Sequence, residues 1–209
     1  MLSRSRPPDA AVRAFLARQA GRPLSYAEVG CTGAGGGPAR PPAGFNVDHH
    51  RAALGQGAER FDRAVEAMRR WAQFRLGWVE LCYPDAPLEP GVTVGILVHV
   101  LGIHWLNACR VVYTVDEASG PVRRFGFAYG TFEEHGERGE ERFLVEHDER
   151  SGEVAYEIFA VSRPNHILAR LGAPYARTVQ RRFARDSMSA MRRAVAPSQR
   201  GEPGPARSP

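Results

Sequence analysis

Tyr129, His135, Glu140 and Glu141 are the side chains from which acid–base chemistry could be assembled. They fall in one stretch, FGFAYGTFEEHGERGEERF, residues 125–143. A carboxylate held in apolar surroundings keeps its proton to higher pH, histidine titrates near neutrality, and a tyrosine hydroxyl donates a hydrogen bond. Gathered at the mouth of a cavity, such groups would serve a general acid–base reaction. They would serve equally to anchor a polar atom of a bound molecule.

Two strands and a loop must bring them together. Phe125, Phe127 and Tyr129 alternate with Gly126, Ala128 and Gly130, so rings share one strand face and small residues the other. The small face leaves room for a close approach. After a polar loop at 133–139, Glu141, Phe143, Val145 and His147 share one parity of the next strand, and Glu140, Arg142, Leu144 and Glu146 the other. Facing inward, Glu141 would be a carboxylate beside an apolar cavity, with a raised pKa. At the strand's mouth it would instead be solvated or paired with an arginine. Parity extends the inward set to Phe125, Phe127, Tyr129, Phe143, Tyr156 and Ile158, which become the candidate walls of a ligand cavity. Arg110 sits in an otherwise apolar strand and requires a partner. A structural ion pair with Glu140 is expected, with Glu141 the other candidate.

Other constellations carry less. His49 and His50 point to opposite strand faces, and neither they nor His99 and His104 come with a HExxH or cysteine pair; no metal site is expected. The GAGGG run at 33–37 opens no helix and reads as a linker. Ser162 and Ser187 lack a nucleophile-elbow context. Cys31, Cys82 and Cys109 are an odd number without close spacing, which argues against a disulfide framework. All 28 basic residues are arginine, which excludes Schiff-base chemistry and a phosphate-loop lysine. No cofactor is implied.

The 209 residues suit one domain, and no apolar run is long enough to span a membrane. With no apolar signal core near the N-terminus, a cytoplasmic location is expected. A short helix is predicted over 10–20, with Asp9 as its cap. A strand at 45–54 and an amphipathic helix at 57–74 follow. Strands are predicted at 77–83, 91–101, 105–116, 122–131, 140–148 and 153–163, separated by turn residues, which implies an antiparallel meander. A long helix at 165–195, broken near Gly172 and Pro174, closes the fold. On it Leu168, Leu171, Tyr175, Val179, Phe183, Ala190 and Ala194 form an apolar stripe opposite Arg170, Arg177, Arg181, Arg185 and Arg192. The reading is an α+β architecture: a curved antiparallel sheet of about seven strands around a long C-terminal helix. Residues 1–23 form an arm and short helix, 24–196 the single domain, and 197–209 a disordered tail.

Several segments stand in a recognisable order: LSYAEVGCT at 24–32, CRVVY at 109–113, FGFAYGT at 125–131, GEERF at 139–143, SRP at 162–164 and QRRFARDS at 180–187. Together they resemble the domain-of-unknown-function family nineteen-ninety of bacteria and plants, one of the UPF-type families, over roughly residues 15–195. The resemblance implies a START-like (SRPBCC) helix-grip fold, whose relatives bind lipids, sterols, hormones or polyketides and in a few cases catalyse cyclisation or hydrolysis. The loop after YGT departs from the family pattern, which usually has Leu and Pro where this chain has Phe132-Glu133-Glu134-His135-Gly136.

The functional expectation is a non-catalytic binder of a small, mainly apolar molecule between sheet and helix, with Tyr129 and Glu141 as polar anchors. An enzyme using the Tyr/His/Glu set is the alternative. Residues 163–200 hold nine arginines against Asp186, a charge of +8 in a chain of net +5. This basic helix offers a further alternative, docking on a membrane surface or an acidic partner. It lacks interleaved aromatics, so no nucleic acid is expected.

Overall fold

The computed structural model describes residues 1–33, 39–165 and 173–196, with side chains from 177 onward in the last stretch. Seven strands form one antiparallel sheet in the order β2-β8-β7-β6-β5-β4-β3. They are β2 (Asn46–Gln56), β3 (Val79–Leu81), β4 (Thr93–Val100), β5 (Ile103–Ser119), β6 (Val122–Thr131), β7 (Glu137–Asp148) and β8 (Glu153–Pro164). A two-residue strand, β1 (Leu2–Ser3), pairs with the start of β5. The meander from β4 to β8 follows from short connections that leave each strand beside its predecessor, and β3 joins it through the longer 82–92 segment. β2 breaks the sequential order by lying along β8, so β2 and β3 are the two edges of the sheet. Register shifts at Ala53/Gly55 and Val111/Tyr113 mark irregularities of the kind that bend and twist a sheet.

The connection between those edges crosses the inner face. Helix α2 (Ala58–Arg69) buries Phe61, Ala64, Ala67 and Met68, a helical stripe, toward the sheet. It stops short of the predicted 74 because Trp71 takes a left-handed conformation, φ 54°. That conformation costs a non-glycine residue roughly 1–2 kcal/mol. It turns the Trp71 ring back into the core, where Nε1 donates to the Ala86 carbonyl at 2.8 Å. A 3₁₀ turn, Ala72–Phe74, follows.

Helix α3 (Ala173–Val195) lies across α2, the 72–74 turn, β2 and β8. It buries Ala184, Ser187, Ala190, Met191 and Val195, with Val179, Phe183 and Met188 packed on the core. Arg177, Arg181, Arg185 and Arg192 are exposed, as the helical period requires. Ala194, placed on the apolar stripe by sequence, is exposed instead, and Met191 and Val195 take the core side. Leu168, Arg170, Leu171, the side chain of Tyr175 and the 197–209 tail lie outside the described residues. The architecture is a helix-grip fold: a curled antiparallel sheet closed by its C-terminal helix.

The outer face is covered by the chain's own beginning. Helix α1 (Asp9–Ala20) sets Val12, Phe15 and Leu16 against Leu97, Leu106, Ala108 and Phe132. Its N-cap position is Pro8, and Asp9 lies in the first turn, bonded to Arg13 and Tyr83. Residues 24–32 continue across the sheet. The small face of β6 is what admits them: a Cβ on Gly130 would collide with the Tyr26 hydroxyl and Leu24.

Candidate functional site

Cross-strand pairing fixes which side chains share the inner face. Phe125 pairs with Val145, Phe127 with Phe143 and Tyr129 with Glu141 across β6 and β7; Phe143 pairs with Ile158 and Val145 with Tyr156 across β7 and β8. Partners point to the same side of a pleated sheet. The six apolar and aromatic candidates therefore stand together, all buried in one cluster with Trp71 and Phe74. Ring centroids are 4.9 Å apart for Trp71 and Phe127, 5.4 Å for Phe74 and Phe143, and 5.6 Å for Phe74 and Phe183. Such tilted and edge-on contacts suit aromatic quadrupoles.

Glu141 sits at the end of this wall. Its Oε2 accepts the Tyr129 hydroxyl at 2.6 Å. Among the described residues no cationic side chain pairs with it. Burial pushes its carboxyl up to about 7, reinforced by the carboxylates of Asp48 and Glu137 and opposed by the Tyr129 hydrogen bond. Tyr129 is driven well above its ordinary value by burial and then by Glu141, so the shared proton stays on the phenol. Protein surrounds Glu141, yet part of its surface remains accessible. Toward the same end of the sheet, Glu137 accepts from Ser162 at 3.2 Å, and Arg177 of α3 pairs with Asp48 at 3.2 Å. Deeper in, the Tyr156 hydroxyl meets Ser187 of α3 at 3.0 Å. Burial pushes all three thiols up, Cys31 to about 12 and Cys82 to about 11, which leaves no reactive thiolate.

The four acid–base candidates do not converge. Glu140, one residue from Glu141, points to the outer face and is buried under residues 24–32. Its carboxylate accepts from the Tyr26 hydroxyl at 2.6 Å, the backbone N–H groups of Gly30 at 2.8 Å and Thr32 at 3.0 Å, and the Thr32 hydroxyl. It is a latch for the outer segment. The expected ion pair of Arg110 with Glu140 is absent. Arg110 donates instead to the Ala20 and Arg22 carbonyls at the end of α1 and lies 4.9 Å over the Phe132 ring. Guanidinium donors complete orphan carbonyls at a helix end, and this choice removes the need for a carboxylate partner. His135 is fixed in the β6–β7 loop, its Nδ1 accepting from the Glu137 N–H at 2.9 Å, and burial holds its pKa down at about 4. It is a neutral structural group at physiological pH. Among the described residues no three His, Cys, Asp or Glu side chains are grouped to hold a metal, and no helix is long and apolar enough to cross a membrane.

Residues 25–190 match the family model described as a domain of unknown function, DUF1990. The chain belongs to this family. In this DUF1990 chain, the segments 24–32 and 139–143 meet through Glu140. It is 37% identical over 163 residues to a UPF0548 protein of Dictyostelium discoideum, covering 74% of this chain and 75% of that one. A UPF0548 protein of Deinococcus radiodurans is 37% identical over 192 residues, covering 86% and 92%. Among solved structures, a hypothetical protein from Helicobacter pylori has a TM-score of 0.48 at 11% identity, covering 84% and 97%. Norcoclaurine synthase from Thalictrum flavum has 0.43 at 12% identity, covering 72% and 94%.

Sequence reasoning missed Trp71 and Gln73, and read Ser187 only as a poor nucleophile candidate. Gln73 is fully buried on the turn before Phe74, and neither amide atom has a hydrogen-bond partner among the described residues. A polar residue between two large aromatics, WAQF, was the available signal. Ser187 lay inside a helical stripe that had been sorted by apolarity alone.

Proposed function

We propose that this DUF1990 protein binds a small, mainly apolar molecule between the inner sheet face and α3, with Glu141 and Tyr129 holding its polar atom. The observation that carries the reading is the Tyr129–Glu141 pair: a carboxylate on an aromatic wall, without a cation, and still partly accessible. A buried carboxyl left without a cationic partner is unfavourable for stability, and a ligand that donates to it offsets that cost. Gln73 is a second interior polar group that a bound molecule or water would satisfy. Phe125, Phe127, Phe143, Tyr156 and Ile158 supply the apolar surroundings that small-molecule sites use. The preferred ligand is neutral or cationic at its polar end, because Glu137 and Asp48 add negative charge nearby.

One observation favours an added catalytic role: a carboxyl titrating near 7 is matched to proton transfer at neutral pH. In that version Glu141 is the general base and Tyr129 its positioning donor, and Glu140 and His135 have no part. The test is titration with 1-aminoanthracene, an apolar fluorophore carrying an amine donor. Saturable binding that Glu141→Gln weakens, with the fold intact, supports the reading. Equal binding by both proteins removes Glu141 as the anchor.

A further inference from the structure

The tip of the β4–β5 hairpin is apolar, exposed and strained. Leu101 is 82% exposed and Ile103 45%, and Leu2, whose strand lies beside Trp105, is 67% exposed. Leu101 also takes φ 51°, the left-handed region that favours glycine. Gly102 follows at φ 73°, so both residues between the paired Val100 and Ile103 take positive φ, as a tight two-residue hairpin turn requires. A large aliphatic side chain at Leu101 thus gains no packing and bears backbone strain. The turn requires the conformation but not a leucine, since Gly, Asn or Asp meets it with less strain. The hairpin runs six residues past the Cys109–Thr131 pair at which β6 ends, so the tip projects from the body of the sheet.

The charge around the tip is positive. Arg4 follows Ser3, which pairs with His104; it is exposed and, among the described residues, pairs with no acid. Arg6 is paired with Glu80, and Arg18 and Arg22 share the single carboxylate of Glu134. The acids of the 84–90 connection lie at the other end of β4. We propose that this hairpin tip, through Leu101, Ile103 and Leu2 with Arg4 beside them, docks the protein on an anionic lipid bilayer. Aliphatic side chains that enter the boundary of the acyl chains, flanked by cations that meet the headgroups, are the two components of interfacial binding. A second copy of the chain fits the patch poorly. Three side chains offer a few hundred Å² against the roughly 800 Å² each partner buries in a stable complex, and two net-positive tips repel.

The experiment is co-sedimentation of the full chain with vesicles of phosphatidylcholine containing about 30% phosphatidylserine, beside vesicles of phosphatidylcholine alone. The protein is expected to bind the anionic vesicles and to be released by salt. Leu101→Gly is the informative variant, because it removes the side chain and relieves the backbone at once. It should leave the melting temperature unchanged or higher while lowering vesicle affinity about tenfold. Ile103→Ser should weaken binding in the same direction. Arg181→Ala with Arg185→Ala, on α3, should leave binding nearly unchanged. No binding of the unmodified chain to anionic vesicles at low salt overturns the proposal, as does equal binding by Leu101→Gly. Loss of binding only in the α3 variant moves the docking surface to that helix. A dimer in solution that Leu101→Gly dissociates makes the partner a second copy and overturns the lipid reading.

Discussion

Replacing Glu141 with glutamine should stabilise the protein above neutral pH and do little in acid. The carboxyl's pKa rises from 4.5 in the unfolded chain to about 7 in the fold. At a pH below about 4.5 the group is protonated in both states, and its environment carries no ionisation penalty. Between about 4.5 and 7 the unfolded chain loses the proton while the folded protein keeps it, so stability falls as pH rises. Above about 7 the penalty is complete, and a rise from 4.5 to about 7 corresponds to about 3 kcal/mol. Partial accessibility lowers this to about 1–3 kcal/mol. Glutamine keeps an acceptor for the Tyr129 hydroxyl and has no charge to bury. Urea unfolding of both proteins across this window gives the difference directly, and taking the difference cancels every group they share. The gap should be near zero in acid and should widen to about 1–3 kcal/mol in favour of the variant at about pH 8. A gap that stays constant with pH, or a variant that is weaker at alkaline pH, would mean that Glu141 is solvated or ion-paired, and would refute the argument.

Burial holds His135 at about 4 against 6.5 in the unfolded chain, so stability should fall as pH drops from 6.5 toward 4; His135→Gln should flatten that limb in pH-dependent thermal melts. Glu140→Ala leaves the buried donors of Tyr26, Gly30 and Thr32 without an acceptor and should cost at least about 3 kcal/mol in denaturant unfolding; a loss under about 1 kcal/mol would mean residues 24–32 do not depend on it. Gly130→Ala drives a methyl group into Tyr26 and should cost about 1–3 kcal/mol by overpacking in the same assay. Phe183→Ala, which removes a ring tilted against Phe74 and edge-on to Phe143, should cost about 3–5 kcal/mol, whereas exposed Arg181→Ala should stay within about 0.5 kcal/mol; equal losses in thermal melts would reverse the assignment of helix faces.

Period-two alternation made the inner wall legible. Phe125, Phe127, Tyr129 and Glu141 carry their facing in the sequence because a strand reverses side-chain direction at every residue. The same rule separated Glu140 from Glu141 by parity, yet it could not name Glu140's partners. Those come from Tyr26, Gly30 and Thr32, more than a hundred residues away, and no local pattern encodes such a contact. Arg110 was misassigned for a related reason. An arginine's need for a partner is readable, but a helix C-terminus satisfies it as well as a carboxylate does, and only the docking of α1 decides between them. The small face of β6 was recognised as a place of close approach, and its occupant was again the distant Tyr26. The end of α2 was overrun because Phe61, Val65, Met68 and Ala72 keep helical spacing, while the break is a left-handed Trp71 held by tertiary contacts. Tertiary context overrides propensity at such positions.

We propose that the inner face around Glu141 and Tyr129 holds a small molecule. Native mass spectrometry of the full chain, purified without organic solvent or detergent, tests it most directly. The unmodified protein should carry a bound species of small-molecule mass, lost in Glu141→Gln and reduced in Tyr129→Phe while both variants remain folded. A bare chain mass for the unmodified protein that also takes up no 1-aminoanthracene would contradict it, and would leave these aromatic side chains as packing alone.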